Sequence, residues 1–304
     1  MTKRLNLALL ILLLLIGPPF YWLLIDNHVG NRPAHPIDIA LLRQMADAIP
    51  GQAPTSIAVE IVANRSVQGN ILAAGSGMRS RMIGVMAFRL EVPGARPIMI
   101  DSGMTPGKAR SLSMNEYSAG AQARVDAALR QAGLILLTHE HADHAGGLMD
   151  LSARQPAVLT HIRLNIAQQV ALNVPRPGAN APVPLPDRPV CVAPGIVVFP
   201  SPGHTRGSQM IYVRLANRME YLFAGDTATM DISWKQVRGR SRLLADYLSP
   251  EDRPAVAAWQ RTIARLKEQD RDLLIIPGHD FEWVTDPKSF NRIRLGFVQE
   301  RLVH

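Results

Sequence analysis

Between Thr138 and Gly147 the chain reads THEHADHAGG, and the six positions from His139 to His144 hold three of its nine histidines, an aspartate and a glutamate. Imidazole and carboxylate together suit zinc, iron or manganese, and either group also works as a general base. His139 and His141 are two apart, so in an extended segment both rings leave one face and can reach a single ion. Asp143 and His144 follow where the chain turns into Ala145-Gly146-Gly147, directed toward a second ion close by. Crowding these groups costs solvation and packing freedom unless a cation offsets it. A single histidine carries no such implication, and His28, His35, His161 and His304 read as ordinary surface or core residues.

Three further residues could complete two coordination shells: His204 after "SPG", Asp226 in "AGDT" and His279 in "PGHD". Each follows a hydrophobic run, as His139 does: "LILLT" before His139, "IVVFPSPG" before His204, "YLFAG" before Asp226 and "LLIIPG" before His279. Strand ends deliver side chains from rigid backbone to one rim of a sheet. Four such deliveries predict one shared site.

The elements that must do the positioning are mixed α/β. "SIAVEIVA", "MIGVMAFRLEV" and "RPIMID" read as strands bounded by Gly, Asn and Pro. "AQARVDAALRQAGLILLT" reads as helix then strand, with Gly133 capping the helix. "GIVVFPS", "QMIYVRL" and "EYLFAGD" are three further strands, and "PAVAAWQRTIARLKEQD" is a helix leading into the strand "LLIIPGHD". A loop from Val174 to Pro194 carries seven prolines. Ile37 to Ala48 has helical spacing of apolar residues, after a linker from Asp26 to Pro36.

The first residues are a different material. Lys3 and Arg4 precede an uncharged stretch from Leu5 to Ile25, long enough to span a bilayer as a helix. Tyr21 and Trp22 stand where an interfacial belt is expected, and no small-residue cleavage site appears. The expectation is a signal anchor over 1–28 with the domain exported, held at the inner membrane; secretion after cleavage is the alternative. Gly17, Pro18 and Pro19 count against a straight helix. A linker with a short helix would occupy 29–54 and the catalytic domain 55–304.

Composition narrows the field. The net charge is +8, but the arginines are scattered without interleaved aromatics, so no nucleic-acid partner is expected. Cys191 is the only cysteine, which excludes an intramolecular disulfide and a CxxC site, and reads as a small buried side chain.

"THEHADH", "SPGHTRGS", "AGDT" and "IPGHD", in that order and after "MIDSG", resemble the metallo-β-lactamase superfamily over roughly residues 55 to 285. The resemblance implies an αββα sandwich with a dinuclear site at one rim. It implies that His139, His141 and His204 hold one metal, that Asp143, His144 and His279 hold the second, and that Asp226 bridges them. Asp101 matches an outer aspartate that hydrogen-bonds a ligand loop. Aspartate at 226 is similar to the glyoxalase II, lactonase and phosphodiesterase branches, and Glu140 falls in a non-ligand slot, unlike the flavodiiron proteins.

The implied function is a two-zinc hydrolase of a lactone, ester or amide bond in a small-molecule substrate, through a metal-bridging hydroxide, with iron or manganese as other metals. Asp143 would both bind metal and accept the nucleophile's proton. The alternatives are a phosphodiesterase on the same site and a mononuclear iron enzyme resembling persulfide dioxygenases. Trp234, Leu243, Leu244 and Tyr247 could line an apolar cleft, with Arg238 or Arg240 meeting a substrate anion; an amphipathic helix covering the sheet is the competing reading of that segment. Tyr117, Tyr212, Tyr221 and Tyr247 are acid candidates by chemistry alone.

Overall fold

The computed structural model describes residues 2–174, 184–287 and 292–297. Most strands bury both faces, which is why they read as nearly unbroken apolar runs rather than alternating ones. The first sheet contains β1 (Ser56–Gln68), β2 (Ser80–Glu91), β3 (Ile98–Ile100), β4 (Glu116–Tyr117), β5 (Leu134–Leu136) and β6 (Ile162–Arg163). The second contains β7 (Val190–Ala193), β8 (Ile196–Pro200), β9 (Gln209–Arg214), β10 (Glu220–Gly225) and β11 (Leu274–Pro277), and β12 (Arg294–Leu295) returns to the first. The strand orders are β12-β1-β2-β3-β5-β6, with β4 added to β1, and β11-β10-β9-β8-β7. β1 and β2 form a long antiparallel hairpin interrupted by a bulge between Ile61 and Ala63, whereas β3, β5 and β6 run parallel.

Alternate side chains sort into three layers of core. Ile57, Val59, Met86, Phe88 and Leu90 point inward against Ile196, Val198, Ile211, Tyr221 and Phe223 of the other sheet. The Phe88 and Phe223 rings meet edge to face at 4.9 Å, a pair that adds about 0.5–1.5 kcal/mol to their burial. On the outer face of the first sheet, Ala58, Val85 and Ala87 meet Val125, Leu129, Leu148 and Leu151 of helices Ala119–Gln131 and Gly146–Arg154. On the outer face of the second, Met210, Tyr212 and Leu222 meet Trp259, Ile263 and Leu266 of helix Arg253–Gln269, with Leu42 of helix Ile39–Ala46. The molecule is therefore layered helix, sheet, sheet, helix. Ser118 and Asp252 cap the two longer outer helices by accepting from Ala121 and Ala255 backbone N–H groups.

Three local expectations need correction. Gly133 does not cap its helix: Gln131 ends it, Ala132 is extended, and a Cβ on Gly133 would lie 3.0 Å from Cβ of Arg96. Glycine there serves close approach, while its N–H donates to the Pro97 carbonyl. Cys191 is half-buried in β7 rather than enclosed, and burial pushes its thiol pKa up, so it stays protonated. Pro18 and Pro19 do not break the first helix, which runs from Thr2 to Phe20 and then widens into a π-turn at Tyr21–Ile25. Residues 3–25 are long and apolar enough to cross a membrane, and the apolar side chains from Leu5 to Ile16 are exposed.

His35 stacks on Trp259 at 3.6 Å, His161 approaches Arg96 and His28 is exposed. His304 and residues 175–183 of the proline-rich loop lie outside the described residues.

Candidate metal centre

All seven candidate ligands arrive at one rim of the sandwich. His139, His141, Asp143 and His144 lie between β5 and helix Gly146–Arg154, on the first sheet. His204 sits in the loop joining β8 to β9, Asp226 directly follows β10 and His279 follows β11, all on the second. Ligand atoms of His139, His141 and His204 lie within 4.8 Å of one another, as do those of Asp143, His144 and His279. A third group, His139, His144 and Asp226, connects them.

The ring nitrogens and carboxylate oxygens converge closely on one another. Nδ1 of His141 is 3.1 Å from Nε2 of His139 and 3.0 Å from Nε2 of His204. Nε2 of His144 is 3.2 Å from Nε2 of His279. Asp226 spans both sets: Oδ2 is 3.5 Å from Nε2 of His204, and Oδ1 is 3.2 Å from Nε2 of His279 and 3.7 Å from Nε2 of His144. That Oδ1 is buried with no hydrogen-bond partner among the described residues. Five imidazoles and two carboxylates crowded into one largely buried cluster must be balanced by protons on some of the rings or by a cation among them, and imidazole with carboxylate is the donor set that suits divalent metal.

Three of the five rings are aimed from behind. Asp101 accepts from Nδ1 of His144 at 2.9 Å and from the N–H and hydroxyl of Thr138 at 2.7 and 2.8 Å. It does so from a left-handed backbone, φ 59°, which aspartate tolerates better than most residues. His279 Nδ1 donates to the Gly84 carbonyl at 2.8 Å, and His204 Nδ1 lies 2.9 Å from Oε2 of Glu251. These bonds fix the tautomer and leave Nε2 free for metal.

Electrostatics divide the rings. Burial, reinforced by neighbouring imidazoles, holds His139 well below its ordinary pKa and His141 down at about 4. Burial also opposes charge on His144 and His279, but the carboxylates outweigh it: Asp101 chiefly for His144, Asp226 chiefly for His279, which rises to about 10. Burial works against ionised Asp226 and Asp143 too, yet His279 and His144 respectively lead the opposing effect and keep both carboxyls below their usual range.

The cluster floors a cleft of about 330 Å³, where His141, Asp143, Asp226 and His279 are exposed to it. Leu72, Ile83, Leu112, Met114, Leu244 and Leu248 make its walls, and Arg65 and Lys108 add basic groups. The expectation for residues 230–254 is met only in part. Leu244 lines the cleft, but Trp234 is buried in the core against the second sheet and Tyr247 faces outward against Trp22. Arg240 lines the cleft, with its guanidinium paired to Glu251 and the Ser249 carbonyl, whereas Arg238 is turned to the Ala74 carbonyl and Gln236. No tyrosine lines the cleft among the described residues. Glu251, Arg65, Lys108 and the Gly84 carbonyl escaped the sequence reading; no spacing signal ties Glu251 to His204, 47 positions away.

Comparison with curated protein sequences gives no match. Among solved structures, that of a quorum-quenching N-acyl homoserine lactone lactonase is similar, with TM-score 0.60, 15% identity, 78% of this chain and 96% of that one covered. An N-acyl homoserine lactone hydrolase with N-hexanoyl-L-homoserine at its catalytic metal centre has TM-score 0.58, 16% identity, and coverage of 76% and 96%. A probable metal-dependent hydrolase from Staphylococcus aureus has TM-score 0.55, 15% identity, and coverage of 76% and 91%. At these identities the likeness is one of fold. The model of the metallo-beta-lactamase superfamily matches residues 84–279, which includes every candidate ligand. With that match over most of its length, the chain belongs to the metallo-beta-lactamase superfamily and is a metal-dependent hydrolase of that fold.

Proposed function

We propose that the protein is a dinuclear zinc hydrolase that opens a lactone, ester or amide bond. The observation that carries this reading is the buried Asp226 carboxylate, which presents one oxygen to each of two imidazole groups. His139, His141 and His204 would hold one ion, Asp143, His144 and His279 the other, and Asp226 both. Bound there, the ions supply a Lewis acid for the carbonyl oxygen and an acidified water as nucleophile. Asp143 borders the cleft, so its carboxylate can take the nucleophile's proton and return it to the leaving oxygen or nitrogen. The apolar walls exclude bulk water from the acyl side of the substrate. The lactonase and hydrolase named above share this fold, which agrees with the reading.

Arg65 and Lys108 at the same cleft favour a phosphodiester as the second reading. A mononuclear iron enzyme would leave Asp143, His144 and His279 without work. The deciding measurement is metal content of the chain purified without added metal, beside His144→Ala. Two zinc ions per chain, reduced in the variant, with lactone or ester turnover exceeding phosphodiester turnover, support the proposal. A single iron indifferent to the substitution rejects it.

A further inference from the structure

The chain segment that leaves the apolar N-terminal helix does not dangle from the domain. Leu24 accepts from the Gly75 N–H at 3.1 Å, and Asn27 bonds the Val237 carbonyl and the Gly239 N–H, both at 3.0 Å. Asp26 pairs with Arg242 at 2.8 Å, and the same guanidinium lies 5.3 Å from the ring centre of Trp22. Trp22 in turn meets Tyr247 edge to face at 6.2 Å. Both elements gripped in this way are cleft walls. The segment after Gly69–Leu72 supplies Gly75, while Leu72 itself lines the cleft. The turn Leu243–Leu248 supplies Tyr247 to the anchor side and Leu244 and Leu248 to the cleft.

The turn that meets the anchor exposes two large apolar side chains beside one acidic one, Asp246. Leu248 is 69% exposed although it borders the cleft, and Tyr247, Tyr21 and Met78 are 59%, 60% and 52% exposed. Through Trp22, Tyr247 joins this turn to the exposed apolar face of residues 3–25, and exposed Arg79 stands next to Met78 in sequence to meet anionic headgroups. Aromatic residues at the end of an apolar span mark the depth of the headgroups.

We propose that the mouth of the metal cleft is seated in the headgroup layer of the membrane that holds residues 3–25, and that it admits an acyl-chain amphiphile sideways from the bilayer. The seating stands on the anchor contacts alone; the bond cut rests on the hydrolase reading. In that reaction water adds across the acyl bond, the carbonyl bond to oxygen or nitrogen breaks, and a carboxylate with an alcohol or amine results.

The test uses the full chain in phosphatidylcholine–phosphatidylglycerol vesicles, with Cys191→Ser and a single labelled cysteine at Leu248→Cys, Tyr247→Cys or Asn217→Cys. Asn217 is exposed in the turn after β9, at the rim opposite the cleft. Brominated lipid should quench a fluorophore at 248 and 247 roughly fivefold more than at 217, the depth expected of an interfacial segment. Equal quenching at all three positions, or none at 247 and 248, overturns the seating. Hydrolysis of a long-chain acyl ester in mixed micelles should follow its surface mole fraction; dependence on bulk concentration overturns sideways access. Strong quenching at 248 without turnover of any acyl ester or lactone rejects the hydrolase reading and upholds the seating.

Discussion

Oε2 of Glu251 lies 2.9 Å from Nδ1 of His204 and 2.7 Å from Nη2 of Arg240, so one buried carboxylate oxygen aims a candidate metal ligand and neutralises an arginine at once. Burial opposes the charge on Glu251, and Arg240 and His204 together outweigh it and hold its carboxyl below the usual range.

Glu251→Gln keeps an acceptor for the imidazole and removes the charge. Chelator competition should show affinity for one ion falling about 10–100-fold, the usual effect of losing an outer partner. Glu251→Leu also strands a buried guanidinium and should cost about 3–5 kcal/mol in denaturant unfolding. Unchanged metal affinity in both variants would remove Glu251 from the site's support.

Asp101→Asn retains a residue that accepts the left-handed backbone but cannot receive three donors as the carboxylate does. The ion bound by His144 should weaken about 10–100-fold while the fold persists. Equilibrium dialysis with zinc, alongside circular dichroism, separates that outcome from unfolding.

Proton release should accompany metal binding. In the metal-free protein His279 is raised to about 10 and carries a proton at neutral pH, which the incoming ion must displace. Zinc affinity should therefore climb as pH rises from 7 toward 10, and calorimetry in buffers of different ionisation enthalpy should register the proton. The raised pKa also means that protonated His279 stabilises the metal-free fold fully below its unfolded value near 6.5. That contribution is lost as pH rises through about 10, so alkali should lower the metal-free melting temperature and chelation should exaggerate the fall.

Gly147 lies in the first turn of the helix that follows His144, and a Cβ there would sit 2.0 Å from the Ser102 carbonyl oxygen. Gly147→Ala should destabilise by about 1–3 kcal/mol and loosen metal at His144, because the helix start must move. A melting curve and zinc titration superimposable on the parent would refute this.

The convergence of the candidate ligands was legible in the sequence because chemistry and position coincided: His139, Asp226 and His279 each follow a strongly apolar run that forms a buried strand. The runs by themselves pointed to strands and helices, and the sandwich was implied by the family resemblance. What pattern could not reveal depends on meetings between distant elements. Glu251 precedes a helix whose other face is core, and only the packing of that helix on the second sheet brings it behind His204. Trp234 failed as a cleft residue because the helix Asp231–Lys235 turns its indole into the core beneath helix Arg253–Gln269. Gly133 was misread for a similar reason, since Arg96 in the loop leading into β3 passes too close to leave room for a side chain there.

The seven candidate ligands are divided between the two sheets, four from the first and three from the second. Neither half of the sandwich holds a complete set, since the first lacks His204 and the second lacks every residue from 139 to 144. Under the proposed metal assignment, ion affinity becomes a gauge of how well the halves are closed upon each other, and each ion would act as a rivet across their seam. Substitutions deep between the sheets, at Phe88 or Phe223, would reach the metal through that seam without touching a ligand.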